Sequence, residues 1–169
     1  MPIPDDALPF GASPKDVEAI EQAALDYMEG WFTGDAIRMR RALHPDLAKR
    51  SLCRHPETGE ATGDFYGSKA EQLVRLTAEG GESQWSDTPY DPATGRDNFD
   101  IVVLEVYRDV AVARVWSRAY VEYLQLGNFD KAGWKIVNIL YTQTSGQAPI
   151  EEWKRTDFAY WVPPATDVG

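Results

Sequence analysis

Residues 99–143 read FDIVVLEVYRDVAVARVWSRAYVEYLQLGNFDKAGWKIVNILYTQ. The stretch is three runs of β-branched and aromatic residues separated by turn formers, the pattern of consecutive antiparallel strands. Arg108-Asp109, taken as a tight turn, sets Tyr107 opposite Val110. Alternation then places Val106, Leu104, Val102 and Asp100 opposite Ala111, Ala113, Val115 and Ser117, all on one side of the sheet. That side is apolar and rich in small residues, so it suits helices packing against it. Ile101, Val103, Glu105, Val112, Arg114 and Trp116 take the other side.

A second turn at residues 130–133 pairs Tyr123 with Leu140, Val121 with Thr142 and Gln125 with Asn138. The helix-facing side is expected to continue through Val121, Tyr123, Trp134, Ile136, Asn138 and Leu140. The assignment depends on regular strands: a one-residue bulge near residues 117–120 would exchange the two faces of the later half.

The rest of the chain is read around this meander. At 169 residues, with 43% hydrophobic and 12% aromatic content, the sequence is expected to form one domain with a real core. A formal charge of -10 speaks against nucleic acid as a partner, because phosphate binding needs a basic surface. It speaks equally against an anionic membrane. No apolar run has the length of a membrane span, and the opening residues lack a basic region followed by an apolar one. A cytoplasmic protein is the expectation. Lone Cys53 has no intrachain disulfide partner, and no Cys/His cluster has zinc-site spacing. No metal or cofactor is expected.

Residues 1–12, with three prolines, read as an irregular arm. Ser13-Pro14 is an N-cap followed by proline at the first helical position, with Asp16 in the first turn. Val17, Ile20, Ala24, Tyr27, Met28 and Trp31 then recur at helical spacing up to a stop at residues 30–34. A shorter helix over residues 35–42 turns Ile37 and Leu43 inward and its arginines outward. His44-Pro45 breaks it before a partly extended stretch. Ser68-Lys69-Ala70-Glu71 reads as a capping box for a third helix that Gly80-Gly81 ends. Residues 81–96 form a long loop of the kind that covers a site. Residues 145–169 are an aromatic tail.

At this point the sequence resembles a known superfamily. Residues 25–35 (LDYMEGWFTGD), 41–50 (RALHPDLAKR), 120–124 (YVEYL) and 133–138 (GWKIVN) resemble the nuclear transport factor 2-like superfamily. They are most similar to its branch labelled "putative lumazine-binding". The resemblance covers residues 14–144, within a domain read as residues 13–144. It implies an α+β cone: a half-barrel of curved antiparallel sheet with about three helices on its concave face. It also implies a homodimer through the outer face of the sheet. The superfamily includes isomerases, cyclases, dehydratases and binding-only modules, so the resemblance does not fix an activity.

Several residues could carry function. Asp100, at the end of an apolar row, either caps a loop or is a cavity carboxylate that needs a partner. His44 either satisfies the carbonyls of a helix end or acts as a general acid or base at the cone mouth. Tyr27 and Trp31 lie four apart on one helix face, as core or as cavity wall. Tyr123, Asn138 and Gln125 are expected beside the interior, and a buried amide there requires a partner or a ligand. Trp116, Tyr120, Leu124, Ile139 and Tyr141, mixed with Arg118 and Glu122, have the composition of a dimer interface. The expected function is binding of a small apolar or aromatic molecule, with Tyr27, Trp31, Tyr123, Asn138 and Gln125 as contacts. The alternatives are a cofactor-independent isomerase, dehydratase or cyclase with Asp100 or His44 moving a proton, and a non-catalytic dimeric interaction module.

Overall fold

The computed structural model describes residues 12–55, 57–86 and 89–143. The expected N-terminal arm up to residue 11 and the aromatic tail lie outside the described residues. The first helix, α1 (Pro14–Thr33), begins as its sequence dictates. The Ser13 side chain accepts from the Asp16 backbone N–H at 3.1 Å, and Asp16 reaches back to the Ser13 backbone, closing a capping box. Gly34, left-handed at φ 74°, ends the helix. Helix α2 (Ala36–Ala42) starts at once, with Asp35 as its N-cap. The two helices nearly touch: a Cβ on Gly30 would lie 2.9 Å from the Met39 backbone nitrogen.

Ile37, expected inward, is exposed, whereas Met39 and Ala42 are buried. Two residues along a helix amount to about 200° of rotation, so burying Met39 against α1 turns Ile37 away. Strand β1 (Leu43–Arg54) follows, then β2 (Ala61–Lys69) and helix α3 (Ala70–Ala78). The expected capping box at Ser68 does not form. Ser68 remains in β2 paired with Lys49, and the helix starts after Lys69 with no side-chain cap. The loop beyond holds two short 3-10 segments, Gly81–Gln84 and Pro92–Asn98.

The meander has four strands where the sequence suggested three, because the middle run folds back at residues 117–120: β3 (Asp100–Tyr107), β4 (Val110–Trp116), β5 (Tyr120–Asn128) and β6 (Trp134–Gln143). The sheet order is β2-β1-β6-β5-β4-β3. Every pairing is antiparallel except β1 with β6. Those two strands are joined by most of the chain, and that length permits a parallel pair. The helices pack on one side of this curved sheet, the α+β half-barrel expected from the sequence. The core lies between α1 and the inward row of Ala111, Ala113, Val115, Leu124 and Ile136. Alanines on β4 leave room for the helix. No helix among the described residues is long and apolar enough to cross a membrane.

Strand pairing agrees with the sequence reading next to the first turn and along the last two strands, but beyond Val106 the first hairpin is shifted and several side chains face the other way. Tyr107 pairs Val110 and Val106 pairs Ala111, as expected. The register then shifts between Val103 and Glu105, so Leu104 is an extra residue and Ile101, not Val102, faces the core opposite Val115. Asp100 therefore pairs Trp116 rather than Ser117. Across residues 117–120 the chain turns tightly, with the Ser117 N–H donating to the Tyr120 carbonyl at 2.8 Å. Val115 meets Glu122, which fixes Glu122, Leu124 and Leu126 inward.

Between β5 and β6 the expected pairs form: Val121 with Thr142, Tyr123 with Leu140 and Gln125 with Asn138. Tyr123, Leu140, Gln125 and Asn138 lie on the outer side. A second bulge, at Val137, lets Trp134 and Ile136 face the core and then turns Ile139 and Tyr141 inward. Leu124 and Ile139, read as interface residues, are thus core. Tyr123, Gln125 and Asn138, read as lining, are exposed. The Asn138 amide finds its partner outside, donating to Gln125 Oε1 at 3.2 Å.

Candidate functional site

The concave side of the sheet does not close fully against the helices. A cavity of about 640 Å³ opens where β1 and β6 run under α3. Its apolar wall is Leu73 and Leu76 of α3, Leu52 of β1 and the rings of Trp31, Trp85 and Tyr66. From the sheet come Lys49, Ser51, Tyr120, Tyr141 and Thr142, with Arg54, Ser68 and Gln143 completing the lining. Trp31 is placed by the buried stripe of α1, one turn beyond Tyr27. Lys49 and Ser51 share one face of β1 by strand alternation.

Under this cavity sits a buried ion pair. The Lys49 ammonium donates to Glu122 Oε1 at 2.6 Å and to the Tyr27 hydroxyl at 2.6 Å. The Tyr27 hydroxyl donates in turn to the same Glu122 oxygen at 3.0 Å. The Glu122 and Lys49 side chains are 1% and 11% exposed, so both charges are largely withdrawn from water. The ammonium also lies 4.2 Å from the centroid of the Tyr141 ring, with the Tyr120 and Tyr27 rings at 5.3 and 5.4 Å. Glu122 Oε2 is buried and has no hydrogen-bond partner among the described residues.

A second buried carboxylate stands behind the wall. Glu82 Oε2 accepts from the Trp31 indole N–H at 2.8 Å and from the Tyr120 hydroxyl at 3.0 Å. Glu82 is delivered by the Gly81–Gln84 turn, which packs on the backbone of α1 at Trp31. These carboxylates govern the phenols. Burial first, then the charge of Glu122 and its hydrogen bond, push the Tyr27 hydroxyl well above its ordinary value. Burial and the charge of Glu82 do the same to Tyr120. Burial also raises Tyr141, against a hydrogen bond from Ser51 that lowers it. All three stay protonated at neutral pH.

Chemically, the arrangement offers an aromatic wall whose hydroxyl and indole protons at Tyr27, Tyr120 and Trp31 are committed to carboxylates. One ammonium faces the space, with two of its three N–H groups in use.

Of the residues singled out from the sequence, Trp31 lines the cavity and Tyr27 lies beneath it in the ion-pair network. Tyr120 and Tyr141 line it too, although the sequence reading gave them to the outer surface. Tyr123, Asn138 and Gln125 do not reach it. Asp100, turned outward by the bulge at Leu104, accepts from Arg114 at 3.0 Å. His44 lies at the other end of β6, stacked on Phe129 with ring centroids 4.6 Å apart. Its Nδ1 accepts from the Asp46 N–H at 3.1 Å. The structure therefore brings neither Asp100 nor His44 to the cavity. Sequence reasoning missed Lys49, Glu82 and Glu122. The signal for Glu122 was available: the tight turn at residues 117–120 places it opposite Val115, in an inward row with Leu124 and Leu126.

The family model described as "putative lumazine-binding" matches residues 15–142. The chain belongs to this family. Among solved structures, it is similar to an NTF2-like protein of unknown function from Silicibacter pomeroyi DSS-3. That match has a TM-score of 0.56 and 12% identity, over 79% of this chain and 99% of the other. A protein of the same description from Shewanella baltica OS155 gives 0.54 at 13% identity, over 79% and 97%. One from Methylobacillus flagellatus KT gives 0.52 at 18%, over 82% and 99%. At these identities the likeness concerns the fold alone. No curated protein matches the chain.

Proposed function

We propose that this protein binds a small molecule with a flat, largely apolar body in the cavity between α3 and the sheet. The observation that carries the reading is a space of about 640 Å³ walled by Trp31, Trp85, Tyr120, Tyr141, Leu73 and Leu76, with the buried Lys49 ammonium at its floor. Such a mixture, mostly apolar with few placed polar groups, is what small-molecule sites present. Native mass spectrometry against one- to three-ring aromatic compounds tests it. One-to-one adducts are expected, and they should weaken in a Leu76→Arg variant. Adducts undiminished by Leu76→Arg, or none at all, would contradict the reading.

A second reading, a cofactor-independent isomerase, dehydratase or cyclase, is favoured by the uncommitted oxygen of Glu122 beside Tyr27 and Lys49. It moves the proton shuttle from Asp100 and His44 to Glu122, which does not line the cavity and would exchange protons with a substrate through Lys49. Turnover of a bound compound that Glu122→Gln abolishes while binding persists would support it.

Association as a homodimer through the outer sheet face belongs to the same proposal. Leu104, Tyr123 and Leu140, 46%, 41% and 47% exposed, supply its apolar part in place of the residues now in the core. Light scattering is expected to give a dimer mass that Tyr123→Glu with Leu140→Glu halves.

A further inference from the structure

The charge of the lining is at odds with the charge of the chain. The protein carries a formal net charge of -10, yet among the described residues no Asp or Glu lines the cavity, and Lys49 and Arg54 do. The two carboxylates nearest the space, Glu122 and Glu82, are turned away from it behind Lys49 and behind the Trp31 and Tyr120 rings. The buried ion pair thus shows its positive end to the cavity. The donors of Tyr27, Tyr120 and Trp31 are spent on those carboxylates, so Lys49 is the charged donor at the floor. Arg54 follows on the same strand past a register irregularity between Leu52 and Arg54. One of its N–H groups is taken by the Gly59 carbonyl at 2.9 Å. Its exposed position suits a guide at the mouth rather than an anchor.

Among the described residues a cationic ligand would meet two like charges and no carboxylate in the lining. A neutral hydrocarbon would leave the ammonium covered and its third N–H without an acceptor. Resting on the small-molecule reading above, we infer that the ligand is an aromatic organic anion, a carboxylate or an equally acidic ring oxygen. Its charged oxygen takes the free N–H of Lys49, and its ring body lies against Trp31, Tyr141 and Leu76. A charge-assisted hydrogen bond in a mostly dry site is worth about a tenfold gain in affinity over a neutral isostere.

Calorimetric titration of the full chain with naphthoate, naphthylmethanol and naphthylmethylammonium reads this directly, since the three share one ring system and differ in charge. Naphthoate is expected to bind about tenfold tighter than the alcohol, and the ammonium more weakly than either. Lys49→Met should level naphthoate with the alcohol. Because that change strands Glu122, Arg54→Gln at the exposed rim serves as a second variant, expected to weaken naphthoate about two- to threefold and to reduce its salt dependence. An alcohol or ammonium binding as tightly as naphthoate overturns the anion assignment while leaving the cavity a binding site. A naphthoate preference indifferent to both substitutions overturns the place assigned to it. Binding by none of the three contradicts the anion assignment and the small-molecule reading together.

Discussion

Lys49 and Glu122 hold each other in place at 2.6 Å, and neither has enough water to stand alone. Removing one member leaves an uncompensated charge in the interior, which costs about 3–5 kcal/mol, whereas removing both leaves none. Lys49→Met and Glu122→Leu are therefore each expected to destabilise strongly, and the double variant to recover most of the loss in denaturant unfolding. Equal additive losses would mean the pair is not coupled. Asp26 makes a different kind of claim. Burial works to raise its carboxyl, but hydrogen bonds from Arg41 at 2.7 Å and Arg38 at 3.1 Å outweigh it and hold the group below its ordinary value. A carboxyl depressed in the folded state stabilises above its unfolded value and loses that contribution as pH falls through the folded one. Unfolding midpoints should thus decline below about pH 4, and Asp26→Asn should flatten that acid limb while lowering stability at neutral pH. An acid limb of the same steepness in the variant would contradict the role given to Asp26.

At the scale of the element, the Gly81–Gln84 turn is the piece that makes the wall of the site. Gly81 has φ 55°, and a Cβ there would stand 2.0 Å from the Trp31 carbonyl oxygen. Gly81→Ala must push the turn off α1 and draw Glu82 away from Trp31 and Tyr120. A loss of about 2 kcal/mol or more is expected, with a changed near-ultraviolet signal from the aromatic wall. A wild-type signal and stability would show that the turn does not hold the wall.

The same scale explains what the sequence could and could not disclose. Helix α1 was legible end to end, because its cap, its proline and its terminal glycine are local signals. The strand pairs Tyr107 with Val110 and Gln125 with Asn138 were legible too, because turn residues fix them. The face was not, because each strand has a period of two and one extra residue reverses it. Leu104 in β3 and Val137 in β6 are such extra residues, and nothing in their side chains distinguishes a bulge from a regular strand. The turn at residues 117–120, the place where the reading depended on a regular strand, reverses β5. Ile37 misled for a similar reason: a short helix has too few turns for its apolar stripe to be read without knowing that Met39 lies against Gly30.

Across the whole molecule, the reversal of the faces decides where function can sit. Tyr120 and Tyr141 move from a surface to a cavity, Asn138 and Gln125 move out, and a buried ion pair replaces the expected Asp100 and His44. The half-barrel anticipated from the sequence remains, with its contents exchanged. On the function proposed above, the space over Lys49 receives a ligand. Nitrogen-15 correlation spectra of the tryptophan indoles, recorded during titration with naphthoate, test that claim most directly. The Trp31 and Trp85 indole signals are expected to shift and saturate together, while those of Trp134, anchored to Asp16 at 3.2 Å on the far end of β6, and of Trp116 stay in place. Shifts confined to Trp116 and to the amides of Tyr123 and Leu140 would put the ligand on the outer sheet and contradict it.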